Sequence, residues 1–180
     1  FQVRVFHASS RSYYRVAHTA QQIATLRDEA WNTLTWNERR AVVFDVRSGL
    51  FDGKVSLQLA LPFIPKLLVG NDRFTIEAAL ALASDVEFLV PDELRGKYEH
   101  WLRATFSAAA TVAGFEPKQG DSLDVETTRS ALIDTVAWTG RDPALVAKAV
   151  KLSARYRELP QSIRGMVLTI AADAKPELFE

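Results

Sequence analysis

The amino-acid sequence predicts a mainly α-helical fold: an array of about eight helices in antiparallel pairs, preceded by a short β-hairpin. Three observations predict it. Apolar residues recur with helical spacing from Thr19 to the end, a capping residue heads most of these runs, and a period of two is confined to the opening residues.

Residues 1–6, FQVRVF, alternate apolar and polar; the polar HASSRS follows, then YYRVAH, again rich in β-formers. These runs read as a hairpin over residues 1–18, although no Asn-Gly turn pins it. A lone hairpin is marginally stable in water, so it is expected to have packed against a sheet that this chain lacks. Thr19 can cap a helix through Ile23, Leu26 and Ala30. TWNE is a capping box, with Thr35 accepting from the amide of Glu38 and Glu38 reaching back. Behind it Trp36, Val43, Val46 and Leu50 share a face, and Gly53 ends the unit.

Ser56 opens the next run, LQLALPFIPKLL, where Pro62 and Pro65 force a late start or a kink. Asp72 caps RFTIEAALALASDVEFL, which is apolar nearly all round and therefore expected to be central. Pro91 suits a first helical position, with Asp92 and Glu93 near the positive end of the dipole. Leu94, Tyr98, Trp101, Thr105, Ala109 and Val112 form its stripe, and Gly114 its stop.

After the polar loop FEPKQGD, Ser122 opens a helix with Val125, Arg129, Leu132 and Val136 on one side and Gly140 at its end. Asp142 caps and Pro143 begins the following helix, with Leu145, Ala149, Leu152 and Tyr156 inward. A last helix after Pro160 carries Ile163, Val167 and Ile170, and KPELFE reads as the start of one more. The eight helices fall into four consecutive pairs of roughly 35 to 40 residues each, the scale of a HEAT-like or armadillo-like α-solenoid, without a visible sequence repeat.

The bulk numbers fit. At 180 residues, roughly 70% of the unfolded chain's surface can be buried. Hydrophobic residues make up 48% and charged ones 24%, as in ordinary globular domains. The 22 basic residues equal the 22 acidic ones, which argues against nucleic acid or an anionic membrane as partner. Without cysteine there is no disulfide framework and no thiolate metal site; a reducing cytoplasmic compartment is the default. No apolar run spans a bilayer, and no signal sequence opens the chain. The start at Phe1 points to a chain cut from something longer.

Chemistry is hard to find. The three histidines, His7, His18 and His100, lack the His-Glu-x-x-His spacing of a zinc helix. His7 and His18 could approach across the hairpin, but two imidazoles make a poor metal site. Glu99 and His100 read as a solvated helix face. There is no Gly-x-Ser-x-Gly elbow; Ser9, Ser10 and Ser12 are loop residues. Asp92 with Glu93, and Asp121 with Asp124, coincide with helix starts, where capping accounts for them. Trp31, Trp36, Trp101 and Trp138 are assigned to core packing. Arg129, inside an inward stripe, needs a partner if buried, and a structural ion pair suits it better than a substrate clamp. No catalytic, cofactor-binding or metal residue is assigned.

The motifs carry a resemblance. SSRSYYRVAH resembles the Gly-Tyr-Tyr-Arg-Val-x-Tyr signature closing the β-sandwich of zinc-dependent aminopeptidases of the aminopeptidase N and puromycin-sensitive type. LTWNERRAVVFDVRSGLFDGKVSLQLAL resembles the opening of their C-terminal helical domain, on Thr35, Glu38, Arg39, Asp45, Gly53 and Ser56. GDSLDVETTRSALIDTVAWTGRDPALVAKA resembles that domain's arginine-bearing helix and restart, on Arg129, Gly140, Asp142, Pro143 and Ala149. Ser12, His18 and His7 depart from the pattern, where glycine, tyrosine and asparagine are usual.

The resemblance implies residues 1–18 as the end of a β-sandwich and residues 19–180 as the first part of a helical domain that continues beyond this chain. It further implies a parent enzyme that removes N-terminal residues from peptides with zinc. The metal and exopeptidase motifs of such an enzyme lie in an earlier domain. This segment would then be a non-catalytic wall or lid of the substrate chamber, partnered by the catalytic and sandwich domains and by peptide substrates. Two other readings stand beside it: a free-standing helical-repeat module holding a peptide or protein on its concave face, and a relative whose parent has lost zinc.

Overall fold

The computed structural model describes residues 15–70 and 72–178. Its regular structure is helical, and among the described residues there is no strand. The expected hairpin lies outside the described residues up to residue 14, and Arg15 to His18 carry no regular secondary structure. The chain divides into two compact units, Phe1–Phe88 and Leu89–Glu180.

The first unit contains α1 (Ala20–Asp28), α2 (Trp36–Phe51), α3 (Leu57–Ala60), α4 (Phe63–Leu68) and α5 (Arg73–Glu87). Local chemistry sets its helix starts. Thr19 and Thr35 both form full capping boxes, with Gln22 and Glu38 as the returning side chains. Asp72 accepts from the amides of Phe74 and Thr75. The run after Ser56 forms two short helices: Pro62 interrupts it, while Pro65 sits in the first turn of α4, where its missing N–H costs no helical bond. Gly53, at φ +68°, turns the chain after α2, a conformation that favours glycine.

Trp31 meets Phe63 edge-on, with centroids 5.4 Å apart, and α4 packs on α5 through Phe63, Ile64 and Leu67 against a stripe of Ile76, Ala79, Leu82 and Ala83. Full burial of a side chain such as Phe63 stabilises by about 2–3 kcal/mol. α5 buries one stripe rather than its whole circumference, and Phe74 is exposed.

The second unit contains α6 (Arg95–Ala113), α7 (Leu123–Ile133), α8 (Pro143–Ser153) and α9 (Gln161–Ala174). Pro91 caps a 3₁₀ turn, Asp92–Leu94, so α6 begins at Arg95 rather than at Pro91. Its buried stripe is Tyr98, Leu102, Phe106, Ala110 and Ala113, whereas Leu94 and Val112 are exposed. The alanine-rich sequence 104–113 offers two faces of similar polarity, and the larger Leu102 and Phe106 decide between them. Gly114 ends α6 at φ +64°, its N–H bonded to Ala110 O.

Ser122 and Asp142 cap α7 and α8 as expected, with Pro143 opening α8. Tyr156 is a correction: α8 ends at Ser153, Tyr156 falls in a 3₁₀ turn and is exposed, and Leu159 takes the buried place. KPELFE yields a 3₁₀ turn, Pro176–Leu178. No helix among the described residues is long and apolar enough to cross a membrane.

On α9, Ile163, Met166, Val167 and Ile170 face the core. Gly165 sits on the exposed side, and a Cβ there would meet nothing within 4 Å. Gly165→Ala is therefore expected to stabilise by about 0.5–1 kcal/mol, chiefly by narrowing the unfolded ensemble. Thermal unfolding followed by circular dichroism should show a rise of about 2–3 °C.

Candidate functional site

Among the described residues, a cleft is present in each unit. In the first, Asp45 of α2 is buried and accepts from the Val16 backbone N–H at 3.2 Å, and His18 Nε2 stands 3.2 Å from its other oxygen. Arg15 donates to the Ser48 hydroxyl, and its guanidinium lies over the Phe44 ring at 5.4 Å. Arg15, Val16, His18, Asp45 and Ser48, with Asp52 and Lys54, line a cleft of about 110 Å³. A carboxylate-oriented imidazole is what a general base uses. Here the His18 side chain is only 5% exposed, and the neighbouring hydroxyl, Ser48, is held by Arg15. The arrangement fastens residues 15–18 onto α2.

The motif positions Thr35, Glu38 and Asp45 thus prove to be capping and fastening groups. Arg39 donates to Trp31 O at 3.0 Å, joining α2 to the turn before it. Ser56 stands at the N-cap of α3 without a side-chain cap bond. Glu38 is held below its ordinary carboxyl range by the Thr35 hydroxyl and then the Thr35 amide. At Asp72 burial pushes the carboxyl up, but hydrogen bonds from Thr75, the Trp36 side chain and the Phe74 amide more than offset it, and the net shift is downward.

In the second unit Arg129 is 2% exposed. Its Nε donates to Ala113 O at 3.1 Å and its Nη2 pairs with Asp121. The expected structural ion pair is present, and the Nε bond to Ala113 O ties α7 to the last turn of α6. Asp121 also accepts from the Lys118 N–H at 2.8 Å, which closes the polar loop.

Beyond Ile133, α7 continues as a π-helical segment, Asp134–Thr139. Gly140 N–H bonds Thr135 O at 2.9 Å and Asp142 N–H bonds Val136 O at 3.0 Å. Such segments are rare and often sit at functional positions. This one borders the second cleft, of about 170 Å³, lined by Trp138, Arg141, Val146, Ile170 and Asp173 among others. Arg141, at φ +49°, pairs with Asp173 at 3.2 Å and Glu99 at 3.6 Å. The left-handed residue at this corner is therefore Arg141, not Gly140. The cleft has room for a small apolar group with charge at its rim, and its lining carries no hydroxyl or thiol.

Asp134, at the head of the π segment, has a buried Oδ1 without a hydrogen-bond partner, and burial raises its carboxyl above the ordinary range. A folded-state value raised in this way means that its stability contribution is full below the unfolded value and lost as pH rises through the folded one. Asp134→Asn should therefore raise the melting temperature at pH 7 by about 1–2 °C, allowing for solvent screening at a partly exposed site. The gain should vanish at pH 3, as read by thermal unfolding at both pH values.

Of the four tryptophans only Trp31 is buried; Trp36 and Trp138 are exposed and Trp101 lies between, which corrects the core assignment.

Among the described residues no group of three or more histidine, aspartate or glutamate side chains could hold a metal ion. His7 lies outside the described residues, and His18 is committed to Asp45. Among the described residues this donor set does not make a zinc centre. Among the described residues both units are helical, and the polar groups named above serve caps, corners and ion pairs.

The ERAP1-like C-terminal domain family matches residues 6–180. The chain belongs to this family, the C-terminal domain of ERAP1-like aminopeptidases. No match came from comparison with curated proteins or with solved structures.

Proposed function

We propose that this chain is a non-catalytic part of a zinc metallo-aminopeptidase, forming the wall or lid of the chamber in which N-terminal residues are removed from peptides. The observation that carries the reading is the family match over residues 6–180. Support comes from the way its polar groups are already engaged: Asp45 by Val16 and His18, Asp121 by Lys118 and Arg129, and Asp142 by the first turn of α8.

Zinc would supply Lewis-acid activation of water in such an enzyme, and its ligands would stand on another stretch of the polypeptide. The part left to this chain is steric and electrostatic: a rigid helical surface that excludes bulk water and folded proteins while admitting flexible peptides. The test is direct. The 180-residue chain should neither cleave aminoacyl-anilide substrates nor retain stoichiometric zinc after dialysis, whereas the complete polypeptide should do both. Zinc-dependent turnover by the isolated chain would overturn the proposal.

A further inference from the structure

The outer side of α2 carries a stripe that neither capping nor core packing explains. At about 100° per residue, Trp36, Arg40, Phe44, Arg47 and Phe51 fall within a sector of about 80°. The buried Val42, Val43 and Val46 lie outside it. Phe44 is 55% exposed and Phe51 69%, and Phe74 of α5, 49% exposed, extends the patch by meeting Trp36 edge-on at 5.1 Å. Aromatic groups gathered this way on one exposed face mark an interaction surface.

Its charge is specific. Arg47 is already paired, with Asp85 at 2.6 Å. The Arg40 guanidinium is bracketed by the rings of Trp36 at 5.5 Å and Phe74 at 5.8 Å, and it has no carboxylate partner among the described residues. A guanidinium braced on ring faces is oriented and partly desolvated, with its N–H edge free for a carboxylate.

The path of residues 15–18 says what covers this face. His18 and Val16 sit on Asp45, and one step earlier Arg15 reaches both Ser48 and the Phe44 ring. Traced toward the N-terminus, the chain therefore passes around α2 from its Asp45 side to the edge of the stripe. A domain that precedes this one in the polypeptide is joined to it through Arg15, and such a tether gives an effective concentration on the order of millimolar.

We propose that the Phe44–Phe51 end of the stripe seats the domain preceding this one in the same polypeptide, through an apolar surface whose carboxylates meet Arg40 and Arg15. This rests on the family membership and goes beyond the chamber-wall reading. The test uses the complete polypeptide with the photo-reactive residue benzoylphenylalanine at Phe44 or Phe51, and at the exposed Val69 as a control. Irradiation should give intramolecular cross-links from positions 44 and 51 to acid-bearing peptides of the preceding domain, and none from position 69. Arg40→Glu, with an unchanged helical spectrum, should cut that yield by about threefold or more, because like charges are brought together. Cross-links between two copies or to a separate protein, a yield no higher than at position 69, or a yield indifferent to Arg40→Glu would each overturn the proposal.

Discussion

Replacing Arg129 by leucine is expected to destabilise the chain by about 2–4 kcal/mol and lower its melting temperature by roughly 5–15 °C. Among the described residues Arg129 is the largest of the fully buried side chains, so the shorter leucine leaves space that neighbours refill only in part. It also removes the N–H that satisfies Ala113 O, a carbonyl in the last turn of α6 without a helical partner of its own. The effect should appear in urea unfolding at pH 7 as a lower midpoint with an unchanged slope.

The same substitution should change the acid limb of the stability curve. The Asp121 carboxyl lies below its ordinary value, first through the Lys118 amide and then, against desolvation, through the hydrogen bond and charge of Arg129. A depressed folded value contributes stability that is present above the unfolded value, near 3.8, and lost as pH falls through the folded one. Arg129→Leu removes part of that depression. Between about pH 4 and 2 the variant should lose less further stability than the parent, although it starts lower. An acid limb as steep as the parent's would show that Arg129 does not hold Asp121.

The second large effect is expected at Gly140. Alanine there would place its Cβ 2.7 Å from Val136 O and 3.0 Å from Thr135 O. Both contacts are with backbone, and both carbonyls are held by the hydrogen bonds that close the π segment. Relief requires rearranging that turn, at a cost of about 2–3 kcal/mol, or roughly 5–10 °C. Gly140 O also accepts from Arg103, so the disturbance should reach α6. Hydrogen exchange at the amides of Gly140 and Asp142 should accelerate before that of α9. Gly165→Ala on α9 provides the opposite sign in the same unit, which separates a steric cause from glycine replacement in general.

The family motifs were legible, and these two positions show why only in part. Arg129 stood out because a charge inside an apolar stripe demands a partner, yet the partner could be named only after the loop carrying Asp121 had folded back. Gly140 read as the end of its helix. Its φ is negative, and the left-handed residue is Arg141; glycine is needed at 140 because carbonyl oxygens crowd it. Nothing in a 3.6-residue pattern announces a π segment, since its hydrogen bonds skip one residue further without changing residue type. The outer stripe of α2 was in the sequence too, but Trp36 read as core because an aromatic residue at helical spacing is ordinarily buried.

By itself the sequence determined the helical class, most of the helix starts and the family. Caps such as Thr19, Thr35, Asp72, Ser122 and Asp142 act through hydrogen bonds to residues two or three positions away, so neighbours along the chain suffice to specify them. Tertiary structure alone decided which face of α6 is buried, where α8 ends, that Asp45 fastens residues 15–18, and that Phe44 and Phe51 stay outside. Each of these depends on what lies across from a side chain, and the free energy of burial belongs to the pair of surfaces brought together rather than to either stretch of sequence.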